Sequence, residues 1–238
     1  MKVNGPYKSI LLLSDIHAPF CHIDLVPFLK ALKKKYKPDK IISVGDEADF
    51  AGISFHTHNA DLYSAGDELT KTIEKLRPIY KLFPKLDLME SNHGSLVYRR
   101  AMDSGLPKRT IRSYREVLEA PKGWVWHEDM VVKSSDGSLT YICHNRTKDS
   151  LKSSQQIGMN FVSGHFHSTF EIRYWANSLK LHWGMIIGCL VDKDSMAFAY
   201  GKTCPAKPII GCGIILNGIP KLLPMVLNSQ GRWNRSVP

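Results

Sequence analysis

Asp, Asn and His residues cluster in short groups along the first 167 positions: Asp15-Ile16-His17, Gly45-Asp46-Glu47-Ala48-Asp49, Asn92-His93, His144-Asn145 and Gly164-His165-Phe166-His167. These side chains offer oxygen and imidazole nitrogen, the donor set of borderline divalent ions such as Mn, Fe, Zn, Co or Ni rather than of an all-oxygen calcium site. Asp15, His17, Asp46, Asn92, His144, His165 and His167 are too many for one small ion and suit two ions that share a ligand. Two divalent ions bring four positive charges, and two aspartates and a bridging hydroxide remove three. Such a centre attracts a phosphate oxygen, polarises it and acidifies a bound water into a nucleophile. Manganese is the favoured ion.

Elements must bring these groups together. Each group follows a short apolar run: Ile10–Leu13, Ile41–Val44, Leu86–Met89, Leu139–Cys143 and Asn160–Val162. Runs of this length and composition read as buried strands. Between them, Asp24–Tyr36 places Leu25, Phe28, Leu29 and Leu32 on one helical face, and Asp67–Phe83 does so with Leu69, Ile73, Leu76, Ile79, Tyr80 and Phe83. The alternation implies an α/β fold with parallel strands. In such sheets ligands bind beyond the carboxyl ends of the strands, so the five polar groups should converge.

The order and content of these groups resemble the calcineurin-like metallophosphoesterase superfamily. Its D-x-H, G-D-x-x-D, G-N-H, single His and G-H-x-H motifs correspond to Asp15-Ile16-His17, Gly45–Asp49, Ser91-Asn92-His93, His144 and Gly164–His167. The chain departs from the family pattern at Ser91 and Gly94, where Gly and an acidic residue are usual. The resemblance implies a four-layer α/β/β/α sandwich of two packed mixed sheets, with a dimetal site at the carboxyl ends of the strands. It assigns Asp15, His17 and His167 to one metal, Asn92, His144 and His165 to the other, and Asp46 as the bridge. His93 would act on the phosphate and protonate the leaving oxygen, with Asp49 orienting it. The stretch Ser91–Arg99 and the tail Leu223–Leu227 look like phage-encoded members, which would place the chain in the host cytoplasm.

The chain has 238 residues with 32 Lys and Arg against 22 Asp and Glu, a formal charge of +10. With 43% hydrophobic and 23% charged residues it can bury a core, which excludes a disordered chain. One domain over residues 1–238 is expected, with the motif-bearing core at 10–167 and second-sheet strands at 183–227. The apolar N-terminal run is too short to span a membrane and lacks a cleavage site, so neither a secretory signal nor a membrane partner is expected. Five scattered cysteines without C-x-x-C fit a reducing, cytoplasmic setting.

The remaining histidines and cations divide the substrate readings. Arg99, Arg100, His56 and His58 are candidate substrate contacts. From Arg99 to Lys122 basic residues outnumber acidic ones, and Lys108, Arg112 and Arg115 would share a face in a helix. Lys33–Lys37 suits the end of its own helix. His22, His127 and His182 are read as structural, and Cys189 and Cys212 as buried strand residues. Near the C-terminus, apolar runs at Met185–Cys189, Met196–Tyr200 and Ile209–Leu216 precede an Asn217-Gly218 turn into Leu222–Leu227, a hairpin in a mostly antiparallel second sheet. The expected activity is a two-metal phosphoesterase using metal-bound hydroxide on a phosphate ester, foremost a nucleoside or deoxynucleoside 5′-monophosphate. The alternatives are a nuclease or phosphodiesterase, favoured by the basic excess, and an inactive nucleic-acid-binding protein. The oligomeric state is not legible.

Overall fold

The computed structural model describes residues 3–55, 61–195 and 206–238. One sheet holds six strands: β1 (Val3–Tyr7), β6 (Met130–Ser134), β7 (Leu139–Ile142), β8 (Asn160–Ser163), β10 (Leu181–Ile187) and β9 (Phe170–Ala176), in that spatial order. The other runs β12 (Ile219–Pro224), β11 (Gly211–Leu216), β2 (Ser9–Leu13), β3 (Lys40–Ser43), β4 (Leu86–Met89) and β5 (Trp124–His127). Both are mixed. Strands β2 to β5 are parallel and β11 is antiparallel to its neighbours, while β7, β8 and β10 are parallel in the first sheet.

The period-two alternation of side chains explains the layering. On β2, Leu11 and Leu13 face a cluster containing Leu25, Phe28, Leu29 and Leu32 of α1 (Leu25–Tyr36) and Leu76 and Ile79 of α2 (Ala65–Leu82). Ile10 and Leu12 face the opposite way, with Ile42, Val44 and Met89, and meet Val132, Ile142, Val162 and Met185 of the other sheet. Helix α5 (Ser150–Ile157) covers the far face of that sheet against β8, β9 and β10. The result is the expected α/β/β/α sandwich.

Local chemistry sets the helix ends. Ser64 accepts from the Asp67 amide and caps α2, whose first turn carries Asp67 and Glu68 toward the positive end of the dipole. Lys33, Lys34 and Lys35 occupy the last turn of α1, where cations belong, and Lys33 also donates to the Leu82 carbonyl. That run is structural, as its position suggested. Asp24 accepts from Nε and Nη2 of Arg232 at 2.7 and 2.6 Å, fastening the C-terminal segment so that Trp233 packs edge-on to Phe28.

The fold differs from the sequence reading in two places. The C-terminal strands do not form a sheet of their own: β10 joins the sheet of β7 and β8, while the β11–β12 hairpin joins β2. Backbone pairing decides this, because β11 completes the otherwise open edge of β2. The hairpin itself turns at Asn217 and Gly218, both with positive φ, as the two-residue turn requires. The basic stretch is not one helix. It is α3 (Leu96–Asp103), a 3₁₀ turn over Lys108–Thr110 and the four-residue α4 (Tyr114–Val117), which Ser113 and Glu116 cap reciprocally. Lys108, Arg112 and Arg115 therefore share no helical face. The run Met196–Tyr200 lies outside the described residues.

Among the described residues no helix is long and apolar enough to cross a membrane. Because Ile42 is fully buried between the sheets, Ile42→Ala should cost about 2–5 kcal/mol in urea denaturation. Ile219, mostly exposed on the edge strand β12, should change stability by less than about 0.5 kcal/mol when truncated the same way.

Candidate metal centre

The five polar groups leave strands of both sheets. Asp15 and His17 follow β2, Asp46 follows β3, and Asn92 and His93 follow β4; His144 follows β7, and His165 and His167 follow β8. The ladder between β2 and β3 continues past their ends, with the Asp15, His17 and Ala18 amides donating to the Gly45, Asp46 and Glu47 carbonyls at 3.0, 2.9 and 2.9 Å. Across the seam, the His165 amide donates to Asp15 Oδ2 at 2.9 Å. Asp15, His17, Asp46 and His165 all have left-handed φ, from 47° to 66°. Each such residue costs roughly 1–3 kcal/mol, a strain that the surrounding bonds must hold.

Three groups of donor atoms result among the described residues. Asp15, His17 and His167 form the first, Asp46, His144 and His165 the second, and His17, Asp49 and His93 a third that shares His17 with the first; within each group one donor atom per residue lies within 4.8 Å of the others. His167 Nε2 lies 3.1 Å from Asp15 Oδ1 and 3.2 Å from His17 Nε2. Asn92 Oδ1 joins the second group, 2.7 Å from His144 Nε2. Asp46 Oδ2 stands between the first two groups, 3.2 Å from His144 Nε2 and 3.6 Å from His17 Nε2.

The tautomers say what these contacts need. His144 Nδ1 donates to the Val44 carbonyl at 2.8 Å, and His17 Nδ1 donates to Asp49 Oδ1 at 2.6 Å. In the neutral rings both Nε2 atoms are therefore lone pairs. They face a carboxylate oxygen, which can only accept. Buried lone pairs of this kind call for a positive centre between them, a proton on each ring or a metal ion. The donor set thus fits two divalent ions.

The electrostatics agree. Burial would raise Asp15, yet hydrogen bonds with His167 and His17 hold it well below the usual carboxylate range. Burial would lower His144, but Asp46 outweighs it and lifts the ring to about 9. His17 is also raised, against the effect of burial, by Asp15 and Asp49. Beside Asp46, burial pushes Glu47 up to about 7, and it accepts from Ser43.

Asp49 and His93 take a different arrangement from the expected pair. The Asp49 carboxylate is committed to His17 Nδ1; its nearer oxygen is 3.6 Å from His93 Nδ1. His93 Nδ1 instead donates to the Asp49 backbone carbonyl, and its ring meets that of His17 edge-on at 4.6 Å. Asp49 thus orients a metal-type histidine by its side chain and His93 by its main chain. Its loop is held by Glu68, which accepts from the Ala51 and Gly52 amides at 2.8 and 2.7 Å.

The expected substrate contacts fare unequally. Arg100 donates from Nε to the Ile53 carbonyl at 2.6 Å and from Nη2 to that of Ser54, and lies over Phe55, so its guanidinium braces a loop. Arg99 is exposed and also stacks on Phe55, at 4.9 Å. His56 and His58 lie outside the described residues. The lone histidines are structural: His22 bonds the Gly231 carbonyl, His127 bonds Asp87 and His182 stacks on Trp175. Cys189 and Cys212 are fully buried.

One contributor, Ser14, escaped the motif reading, and Gly164, which opens the last motif, proves to have a steric role. Ser14 bonds Asp15 Oδ2, and its only signal is its place before Asp15. Gly164 has no room for a side chain, since a Cβ there would collide with Ser14 Oγ and Asp15 Oδ2.

No protein-family model matches the sequence, and no curated protein matches it. Solved structures similar to the chain include Vps29 of Chaetomium thermophilum, 12% identical, with 97% of this chain and 95% of that one covered and a TM-score of 0.46. Vacuolar Protein Sorting 29 of Cryptosporidium parvum is 14% identical, with 98% of each chain covered and a TM-score of 0.48. YfcE, a phosphoesterase from E. coli, is 13% identical, with 96% of each chain covered and a TM-score of 0.47. These are likenesses of fold, at identities too low to speak to a reaction or a partner.

Two outcomes follow for the centre. Gly164→Ala should weaken divalent-ion binding at least tenfold in calorimetric titration, because Asp15 must move. In the metal-free protein the raised His144 contributes stability that is complete below its ordinary value of about 6.5 and is lost as pH rises through about 9. The metal-free melting temperature should therefore fall across that window, and saturating manganese should abolish the fall.

Proposed function

We propose that the chain is a two-metal phosphoesterase of the calcineurin-like metallophosphoesterase type, acting on phosphomonoesters and foremost on (deoxy)nucleoside 5′-monophosphates. The observation that carries this reading is Asp46 Oδ2, placed between the Nε2 atoms of His17 and His144, whose Nδ1–H groups are already given to Asp49 and Val44. Asp15, His17 and His167 would hold one divalent ion, Asn92, His144 and His165 the other, and Asp46 both. When bound, such a pair supplies Lewis acidity toward a phosphate oxygen and acidifies water at neutral pH.

The chain's own residues do the rest. Val44 and Asp49 fix the tautomers of His144 and His17, presenting lone pairs inward. His93, with Nδ1–H held by the Asp49 carbonyl, presents Nε2 from a partly open position beside His17. Protonated there, Nε2 donates to a phosphate oxygen and passes its proton to the departing alkoxide. The Asp46 carboxylate accepts the His93 amide at 3.2 Å, which keeps the imidazole at the edge of the centre.

A small phosphomonoester is favoured over a nucleic acid by the surroundings. The cleft beside Asn92 and His144 is lined by Glu90, Glu128 and Asn145, and its carboxylates repel a polyanionic strand. Arg100 is committed to a loop, and the basic stretch lacks the single helical face that would track a backbone. The +10 charge still favours anionic substrates in general.

The test is manganese-reconstituted hydrolysis of a deoxynucleoside 5′-monophosphate beside a 5′-labelled oligonucleotide. Phosphate release from the monomer with the oligonucleotide chain uncut is expected. Chain cleavage without phosphate release from the monomer would make the protein a nuclease. His93→Asn should lower kcat by about 10²–10⁴-fold on an alkyl phosphate. The loss should be smaller on p-nitrophenyl phosphate, whose leaving group needs no proton, with metal content unchanged.

A further inference from the structure

A second cleft, of about 360 Å³, opens on the β2 side of the metal centre. One of its walls continues the segment that carries Asp15 and His17. Phe20 closes a tight turn onto His17, its amide donating to the His17 carbonyl at 2.8 Å, which puts the two Cα atoms within about 7 Å of each other. The opposite wall, Leu190–Asp192, is tied to the same loop: the Leu190 amide donates to the Asp15 carbonyl at 2.9 Å and the Asp192 amide to the Phe20 carbonyl at 2.8 Å. Helix α2 forms the third side, presenting Lys71 and Lys75 one turn apart, and Thr72 Oγ1 donates to the Ala18 carbonyl at 2.9 Å.

The lining is chemically particular. Phe20 is buried as a floor, and Tyr63, 44% exposed, lies parallel to it with ring centroids 6.0 Å apart and planes 6° apart. Lys71 Nζ stands 4.9 Å from the Tyr63 ring centre. Around this flat aromatic surface the rim offers the ammonium groups of Lys71 and Lys75 and the carboxylates of Glu74 and Asp192. An apolar ligand would waste these charges, and a bare phosphate would waste the aromatic surface. A flat ring bearing both donors and acceptors uses both. The volume falls in the range of small-molecule sites.

We propose that this cleft is the subsite for the organic half of the substrate, and that it takes a nitrogenous base stacked on Tyr63, with Lys71 and Lys75 holding electronegative groups of the base or sugar. The acid-lined cleft on the other side of the centre, about 220 Å³ and bounded by Glu90 and Glu128, offers no aromatic surface. The proposal rests on the phosphoesterase reading for where the phosphate sits, but base binding itself does not require catalysis.

The experiment therefore has two arms, both on the full chain loaded with manganese. In the first, kcat and KM are measured for a deoxynucleoside 5′-monophosphate and for glycerol phosphate, on the wild type, Tyr63→Leu and Lys71→Ala. Loss of stacking should shrink the preference for the nucleotide about tenfold in Tyr63→Leu, mainly through KM. In the second, binding of adenosine, which carries no phosphate, is measured by titration calorimetry, and Tyr63→Leu should weaken it about tenfold. Adenosine binding lost in Tyr63→Leu, in a protein that hydrolyses no ester, would uphold the subsite and sink the phosphatase reading. Hydrolysis with no preference for the nucleotide and no adenosine binding would do the reverse. An unchanged preference and unchanged adenosine affinity in both variants overturns the proposal.

Discussion

Asp46 Oδ2, lodged between two imidazole Nε2 atoms that must each carry a proton or share a metal ion, sets the condition that the rest of the structure meets. A carboxylate oxygen cannot donate, and the Nδ1–H of each ring is already given away, to Val44 and to Asp49. Buried acceptors left facing one another are costly unless a cation joins them. The strained backbone at Asp15, His17, Asp46 and His165 and the absence of a Cβ at Gly164 are arrangements that hold this geometry against its own repulsion.

The centre belongs to neither sheet. Asp15, His17, Asp46 and Asn92 leave the sheet of β2, β3 and β4, whereas His144, His165 and His167 leave that of β7 and β8. The sheets are held together by a buried apolar layer that includes Ile10, Leu12 and Ile42 on one side and Val132, Val162 and Met185 on the other. Burial of that layer brings the ligand groups together, and cations bound there would fasten the two edges in turn. Folding and metal affinity are thus two readings of one equilibrium. The clefts on either side inherit different character from their walls, acidic beside β4 and β7, aromatic with charges of both signs beside β2 and α2.

The sequence made the strand exits legible because the ligand chemistry is dense there: an apolar run followed at once by Asp, Asn or His has few other physical explanations. The α1 and α2 faces were equally plain from their apolar spacing. Allocation of strands to sheets was not legible, since β7 and β8 read like β2 and β3, and only long-range pairing separates them. The edge strands β1 and β9 lack the continuous apolar run of a buried strand, having exposed positions along their length. The part played by Asp49 escaped for a related reason. Its spacing announces a partner for a histidine, but whether His17 or His93 receives the carboxylate depends on a loop path fixed by Glu68.

The most direct test of the account is metal stoichiometry. The protein, stripped and then titrated with manganese, should bind two ions per chain, by calorimetry and by elemental analysis after gel filtration. Asp46→Ala should weaken both sites together, because Asp46 stands between the two donor groups. Failure to bind any divalent ion, or an Asp46→Ala variant that still binds two as tightly as the wild type, would contradict it.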